Sequence, residues 1–224
     1  MSTRYHSVFF GPAAAALARR SKDRWLVALN ENIIENHIAR RDFDYVLDIG
    51  SGSGQLGIQA QAHVTNWIDL ELSIDLLRED RARRLNRVLG SAEILPFPAS
   101  FFDAVIIKFA LHHIQDGQRI FSEAARVLKD GGLCLLVDPV FVGNRFDRVK
   151  LAFLILKASI RQGAAELRCV YRTPDEIRKI ASLNGFEIQK EAILQTPAPP
   201  NYLPTTMLVA RRRHSSECRQ ETRG

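Results

Sequence analysis

No apolar run in the 224-residue chain approaches the roughly 18 uncharged residues that a membrane-spanning helix needs. A helical membrane span is therefore not expected. The opening residues MSTRYHSVFFGPAAAALA place only Arg4 before a short apolar piece, which is not a secretory-signal layout. The expected location is cytoplasmic. Cysteine is scarce: Cys134, Cys169 and Cys218 show no metal-ligand spacing, so no metal ligand set is assigned. Cys134 sits in an apolar stretch and reads as a buried thiol. No internal repeat is found.

What the chain does carry is positive charge, +6 net with a pI of about 9.5. Arg78, Arg81, Arg83, Arg84 and Arg87 crowd one expected helix, and Arg211, Arg212 and Arg213 open a polar tail ending at Gly224. The plain reading is a solvated helix face and a disordered tail. RNA or a lipid surface is the second reading. No aromatic residues interleave these arginines as base stacking requires, so RNA is not favoured.

The chain is organised around Tyr45 to Ile58, YVLDIGSGSGQLGI. An apolar, β-prone start reaches Asp48, then Gly50, Gly52 and Gly54, and helix-compatible residues follow from Gln55. Glycines permit positive φ and close approach of a ligand. A helix start behind the turn offers unpaired N–H groups. This is a turn suited to a nucleotide-like or carboxylate-bearing ligand. Gly52, Gly54 and Gly57 also satisfy the dinucleotide pattern G-x-G-x-x-G, which keeps a nicotinamide enzyme as an alternative.

Around this turn, strands and helices alternate. Trp25, Leu26, Leu29, Ile33, Ile34 and Ile38 have helical spacing and predict a core-facing helix over 22–38. Beyond the turn, the pattern predicts a helix from about Gly54 to Ala62 and a second strand over Asn66–Glu71. Asp69 and Glu71 share one strand face, but only Glu71 stands at the carboxyl end where a ligand binds. A third strand is expected over Arg87–Leu89, a fourth from Phe102 to Ile107, and a fifth over Leu133–Val137. A helix over Ser122–Leu128 precedes the fifth strand and stops at Lys129-Asp130-Gly131-Gly132. The segment Val149–Ile160 is apolar on more faces than a surface helix needs. It reads as a helix buried in a dimer or against the N-terminal arm, and flanking Arg145, Arg148, Lys150, Lys157 and Arg161 allow weak membrane-surface contact. Thr173-Pro174-Asp175-Glu176 is a helix start running to about Leu183, with Asn184-Gly185 as its stop. Strands follow at Phe186–Gln189 and Thr206–Ala210.

Five of these stretches resemble, in order, the motifs of class I S-adenosylmethionine-dependent methyltransferases of the small-molecule, type 11-like kind. They are D-I-G-S-G-S-G from Asp48, E-L-S from Glu71, G-S-A-E-I-L-P-F from Gly90, L-H-H from Leu111, and R-V-L-K-D-G-G from Arg126. The resemblance covers about Tyr45 to Ala210. It implies a Rossmann-like α/β fold: a seven-stranded, mostly parallel sheet with an antiparallel last strand and helices on both faces. It also implies an N-terminal arm and helix over 1–44, a methyltransferase domain over 45–211 with an inserted lid at about 141–171, and a basic tail over 212–224.

The same resemblance implies S-adenosylmethionine as cofactor and assigns its contacts. Asp48, Gly50, Ser51, Gly52 and Gly54 line the methionine end. Glu71 accepts the ribose hydroxyls, with Asp69 as runner-up, and Leu72 adjoins it. Ser91, Ala92 and Glu93 form the adenine loop, where Ser91 replaces the family's usual acid and Glu93 is the compensating candidate. Lys108 and Phe109 face the cofactor, Lys108 through its backbone with the side chain pointing away. His113, His112 and Asp138 are the candidate general bases. The implied reaction is in-line methyl transfer to a small, partly apolar acceptor. Competing classes are an RNA methyltransferase, for which no Asn-Pro-Pro-Tyr or paired-cysteine signature is present, and a non-catalytic methyltransferase-like partner protein, for which Ser91 speaks.

Overall fold

The computed structural model describes residues 23–78, 85–143, 168–194 and 203–214, with Asp147, Val149, residues 151–153 and Leu156. The N-terminal arm, Arg81, Arg83 and Arg84, most of the proposed lid with its flanking basic residues, and the tail beyond 214 lie outside them. Among the described residues no helix is long and apolar enough to cross a membrane.

Elements alternate as the sequence pattern predicts. Helix α1 spans Arg24–Ile33 and continues as a π-helical turn to Ile38; β1 is Tyr45–Ile49, α2 Gln55–Ala60, β2 Asn66–Glu71 and α3 Ile74–Leu77. Then come β3 Asn86–Leu89, β4 Phe102–Lys108, a 3-10 turn Leu111–His113, α4 Gly117–Val127 and β5 Leu128–Pro139. Helix α5 spans Pro174–Leu183, β6 Phe186–Leu194 and β7 Thr205–Arg212. The sheet order is β3-β2-β1-β4-β5-β7-β6. β7 runs antiparallel to both neighbours, and the other pairings are parallel. Chain direction reverses its spread between β1 and β4, so a crevice opens there above the strands' carboxyl ends.

Period-two alternation builds the two-sided core. Leu47, Ile49, Val105, Ile107 and Leu136 join a cluster with Phe121 of α4 and Ile177 of α5. Val46, Ala104, Ile106, Leu135 and Val137 join the opposite cluster with Ile33 of α1 and Leu56 of α2. Both sheet faces are thus covered by helices, and α1 is an integral layer of the fold. Phe121 and Phe186 are fully buried and meet edge to face at 5.9 Å. Truncating either to alanine would cost about 3–5 kcal/mol.

Several boundaries differ from the sequence expectation. Helix α4 begins five residues earlier than Ser122. Asp116 caps it by accepting from the Arg119 N–H, and Gly117 is there for clearance: a Cβ on it would lie 2.9 Å from Arg172 Nε. The glycine pair at 131–132 does not stop a helix. Strand β5 already starts at Leu128, and Gly131, at φ +72°, bends the strand where its register against β4 shifts. Arg211 and Arg212 belong to β7 rather than to a tail; Arg211 Nη1 donates to the Gly131 carbonyl at 2.8 Å, and Arg212 pairs with Asp130 at 3.4 Å. Arg87 lies in β3, where the expected third strand placed it, and so does not belong with the arginines of a solvated helix face. The capping box at Thr173 and Glu176, by contrast, forms as the sequence predicts.

Candidate functional site

The glycine turn follows β1 directly. Gly50 N donates to the Leu70 carbonyl at 2.8 Å, and the chain turns through Gly50, Gly52 and Gly54 at φ of +70°, +60° and +74°. These glycines have different jobs. A Cβ on Gly50 would lie 2.6 Å from Ala110 Cβ, so Gly50 lets the turn close against the chain leaving β4. A Cβ on Gly52 would meet nothing within 4 Å, so its backbone borders open space. Gly57 serves helix packing, since a Cβ there would lie 2.5 Å from Trp67 Nε1. Ser51 shares the turn, its N–H reaching the Leu70 carbonyl at 3.2 Å. Helix α2 behind the turn has only six residues.

The three acids near the turn divide their roles. Asp69 is fully buried and committed: Trp67 Nε1 donates to Oδ1 at 2.9 Å and Arg87 Nε to Oδ2 at 3.2 Å. Glu71, at the strand end, folds over the turn. Its Oε2 accepts from Gly52 N at 2.9 Å, and its Oε1 from Leu72 N and Ser73 N, each at 2.8 Å. A carboxylate has about four lone-pair sites, so Oε2 keeps one for a further donor. Asp48 differs from both. It is 1% exposed, and neither carboxylate oxygen has a hydrogen-bond partner. Burial, then the neighbouring Asp69, pushes its carboxyl up to about 8. A buried carboxylate without donors is costly unless a cation or donor comes to it.

Sequence reasoning missed what holds the turn. Besides Asp69, Arg87 donates to the Leu76 and Leu77 carbonyls at 3.0 and 2.7 Å and to the Gly52 carbonyl at 2.6 Å. One guanidinium therefore ties β3, β2, the end of α3 and the glycine turn. Its place in an arginine-rich stretch gave no signal of this.

Ser91 and Ile94 form an isolated bridge after β3, and Ser91 Oγ accepts from Glu93 N at 3.2 Å. Glu93 is buried and its Oε2 has no hydrogen-bond partner. Ala92 packs against the core, while Leu72 is 36% exposed beside Glu71.

At the end of β4 the side chain of Lys108 does not point away. Its Nζ lies 5.3 Å from the centroid of the Phe109 ring, close enough to Asp48 for the carboxylate to act on it. Burial lowers the Lys108 ammonium from its usual range, against the pull of Asp48. Phe109 adopts φ +54°, a conformation that costs a non-glycine residue about 1–3 kcal/mol and clusters at functional sites. It meets Trp25 of α1 at 5.7 Å, so the N-terminal helix reaches the crevice as well as the core.

The 3-10 turn beyond brings the proposed bases together. His112 Nδ1 and Asp138 Oδ1 lie 3.0 Å apart, both residues buried. The His112 ring stacks on Tyr171 at 5.5 Å and tilts against His113 at 4.0 Å. Burial, and then His112, hold the His113 imidazole well below its usual range. Cys169, which the sequence spacing left unassigned, places Sγ 3.4 Å from His113 Nδ1.

The turn can hold a ligand with a cationic end and vicinal hydroxyls: Asp48 supplies orphaned acceptors, Gly52 an open backbone edge, and Glu71 a partly free carboxylate. Residues 47–136 match the family model of a methyltransferase domain. An uncharacterized protein of Methanocaldococcus jannaschii is 30% identical over 199 residues, covering 80% of this chain and 75% of its own. The demethylmenaquinone methyltransferase of Mycolicibacterium paratuberculosis is 34% identical over 93 residues, covering 42% of this chain. The match spans only 40% of that relative's length. Among solved structures, a geranyl diphosphate C-methyltransferase from Streptomyces coelicolor A3(2), crystallised with S-adenosyl-L-homocysteine, superposes with a TM-score of 0.70 at 14% identity, covering 92% of this chain and 88% of its own. The ordered motifs, the strand order with its antiparallel β7, and these matches agree: the chain belongs to the class I S-adenosylmethionine-dependent methyltransferases.

Proposed function

We propose that this chain transfers a methyl group from S-adenosylmethionine to a small, partly apolar acceptor. The carrying observation is Asp48, a buried carboxylate whose two oxygens lack partners beside the open edge of Gly52. In this reading Asp48 takes the ammonium of the methionine end, with Gly50, Ser51, Gly52 and Gly54 around it. Glu71 accepts a ribose hydroxyl through Oε2. Leu72 lies on the adenine face, and the orphaned Glu93 Oε2 supplies the acceptor that Ser91 lacks as a charge. Bound S-adenosylmethionine supplies an already activated methyl as a sulfonium, so the protein's task is orientation and exclusion of water.

Lys108 and Phe109 border the methyl-bearing side. His112, His113 and Asp138 stand at the ends of β4 and β5, where an acceptor's proton would leave. A partly apolar acceptor is supported by the exposed apolar residues Val149, Phe153 and Leu156 beyond β5, and by relatives named for quinone precursors and geranyl diphosphate. Calorimetric titration of the untagged chain with S-adenosylmethionine and, separately, NADH tests the reading. Binding of the first alone, followed by transfer of labelled methyl to quinol- or isoprenoid-like acceptors, is expected. Absence of cofactor binding would overturn it.

A further inference from the structure

We propose that His112, His113 and Cys169 form a binding site for a thiophilic divalent cation of the zinc type. The inference is independent of the cofactor reading. One ring nitrogen from each histidine and the Cys169 sulfur all lie within 4.8 Å of one another. The 3.4 Å between Cys169 Sγ and His113 Nδ1 is close to the about 3.5 Å expected between a thiolate and an imidazole on one tetrahedral zinc ion.

The surroundings are those of a built site. Asp138 engages His112 Nδ1 at 3.0 Å and leaves Nε2 for a cation, the carboxylate–histidine arrangement that orients metal-ligating imidazoles. Hydrogen bonds to backbone carbonyls hold the cysteine in place although it is 56 residues from His113 in sequence. Val170 N donates to the His112 carbonyl at 2.7 Å, and Gln115 Nε2 donates to the Arg168 carbonyl at 2.6 Å. Arg172, itself 7% exposed, donates to the carbonyls of Leu111, Ile114 and Gln115 at 2.9 to 3.1 Å. The segment carrying Cys169 is thus stitched to both sides of the histidine turn, and the three donors need little rearrangement to close on an ion.

Two imidazoles and one thiolate select zinc-like ions over magnesium or calcium, which require oxygen donors. Three protein ligands leave a fourth position for an outside ligand, and His113 and Cys169 are partly rather than fully buried. That position lies at the carboxyl ends of β4 and β5, on the side assigned to the acceptor. An ion there would polarise a bound hydroxyl or thiol.

The test uses the full chain without a histidine tag, stripped with a chelator and titrated with Co²⁺, then Zn²⁺. The expected result is one equivalent of Co²⁺ per chain, with a thiolate-to-cobalt charge-transfer band that Zn²⁺ abolishes by displacement. Cys169→Ser should remove the band, and His113→Asn should weaken binding at least tenfold. Asp138→Asn should weaken it by about tenfold through the His112 ring. Cys134→Ala and Cys218→Ala should keep both band and stoichiometry. Circular dichroism of the metal-free variants establishes that they fold. Cobalt binding without the thiolate band, a band that survives Cys169→Ser or is lost in Cys218→Ala, or no binding by the folded wild type would each overturn the proposal.

Discussion

Arg87 Nη2 donates to the Gly52 carbonyl at 2.6 Å while its Nε meets the buried Asp69 at 3.2 Å. The guanidinium touches no expected ligand atom, yet it sets the height of the turn that borders the crevice. Arg87→Met strands Asp69 as an uncompensated buried charge, and the expected loss of stability is about 3–5 kcal/mol. Arg87→Lys cannot reproduce the planar fork and should recover only part of this. Chemical denaturation of both variants is the check. A loss below about 1 kcal/mol, the scale of exposed pairs, would show that the guanidinium does not organise the turn.

Gly50 and Gly52 should respond differently to the same added methyl group. Gly50→Ala combines positive φ with a 2.6 Å clash against Ala110, and about 2–4 kcal/mol of stability should be lost. Gly52→Ala meets no atom, so only the backbone term of about 1–2 kcal/mol is expected. Its methyl group intrudes on the space assigned to the cofactor, so cofactor affinity should fall at least tenfold. Melting curves and calorimetry on the two variants separate the effects. Unimpaired cofactor binding by Gly52→Ala would remove that glycine from the site.

Glu71→Ala removes the acceptor of three backbone N–H groups and the proposed ribose contact together. Cofactor affinity should fall by about 10–100-fold, as expected for a charge-assisted hydrogen bond of about 1.5–3 kcal/mol. Asp69→Asn should instead act on stability, because Asp69 is already occupied by Trp67 and Arg87. If Asp69→Asn weakened cofactor binding more than Glu71→Ala did, the ribose assignment would pass to Asp69.

Asp48 gives the apo protein a pH dependence of definite sign. Its folded carboxyl is raised from 3.8 to about 8, chiefly by burial, so the native state holds a proton that the unfolded chain releases. Stability of the apo protein should therefore fall as pH rises from about 4 to about 8. Asp48→Asn cannot ionise and should exceed the wild type by about 1–3 kcal/mol at pH 8. Its cofactor affinity should be lower, since the anionic partner is gone. Denaturation at pH 5 and pH 8 decides the point; parallel pH profiles for the two proteins would contradict it.

Ser91→Asp restores the acid usual in the family at the adenine loop. Cofactor affinity should rise by about three- to tenfold if the site is used as proposed, the gain from replacing a neutral acceptor by a charged one. Glu93→Gln should lower it. A null effect for both would detach this loop from the adenine.

The order of elements was legible because periodicity and capping are local. Asn66–Glu71 is a short run carrying apolar Trp67, Ile68 and Leu70, and Thr173, Pro174 and Glu176 carry a complete helix start within four residues, so both elements form where the sequence places them. The glycine turn was legible for the same reason: Asp48 and its three glycines are consecutive enough to be read as one device. By itself the sequence determined the fold class, the family and the crevice. Tertiary structure decided what long-range contacts decide. Gly117 looks like a helix breaker until Arg172 packs onto it. Arg87 looks solvated until β3 seats it on Asp69. Lys108, at a strand end, turns back over Phe109 rather than outward. His113 and Cys169 are 56 residues apart, and no spacing rule joins them; the backbone bond from Val170 to His112, and the bonds of the Arg172 guanidinium to the carbonyls of the turn, bring sulfur and imidazole to 3.4 Å. Such side chains are placed by the partners that folding delivers, and those partners have no fixed offset along the chain.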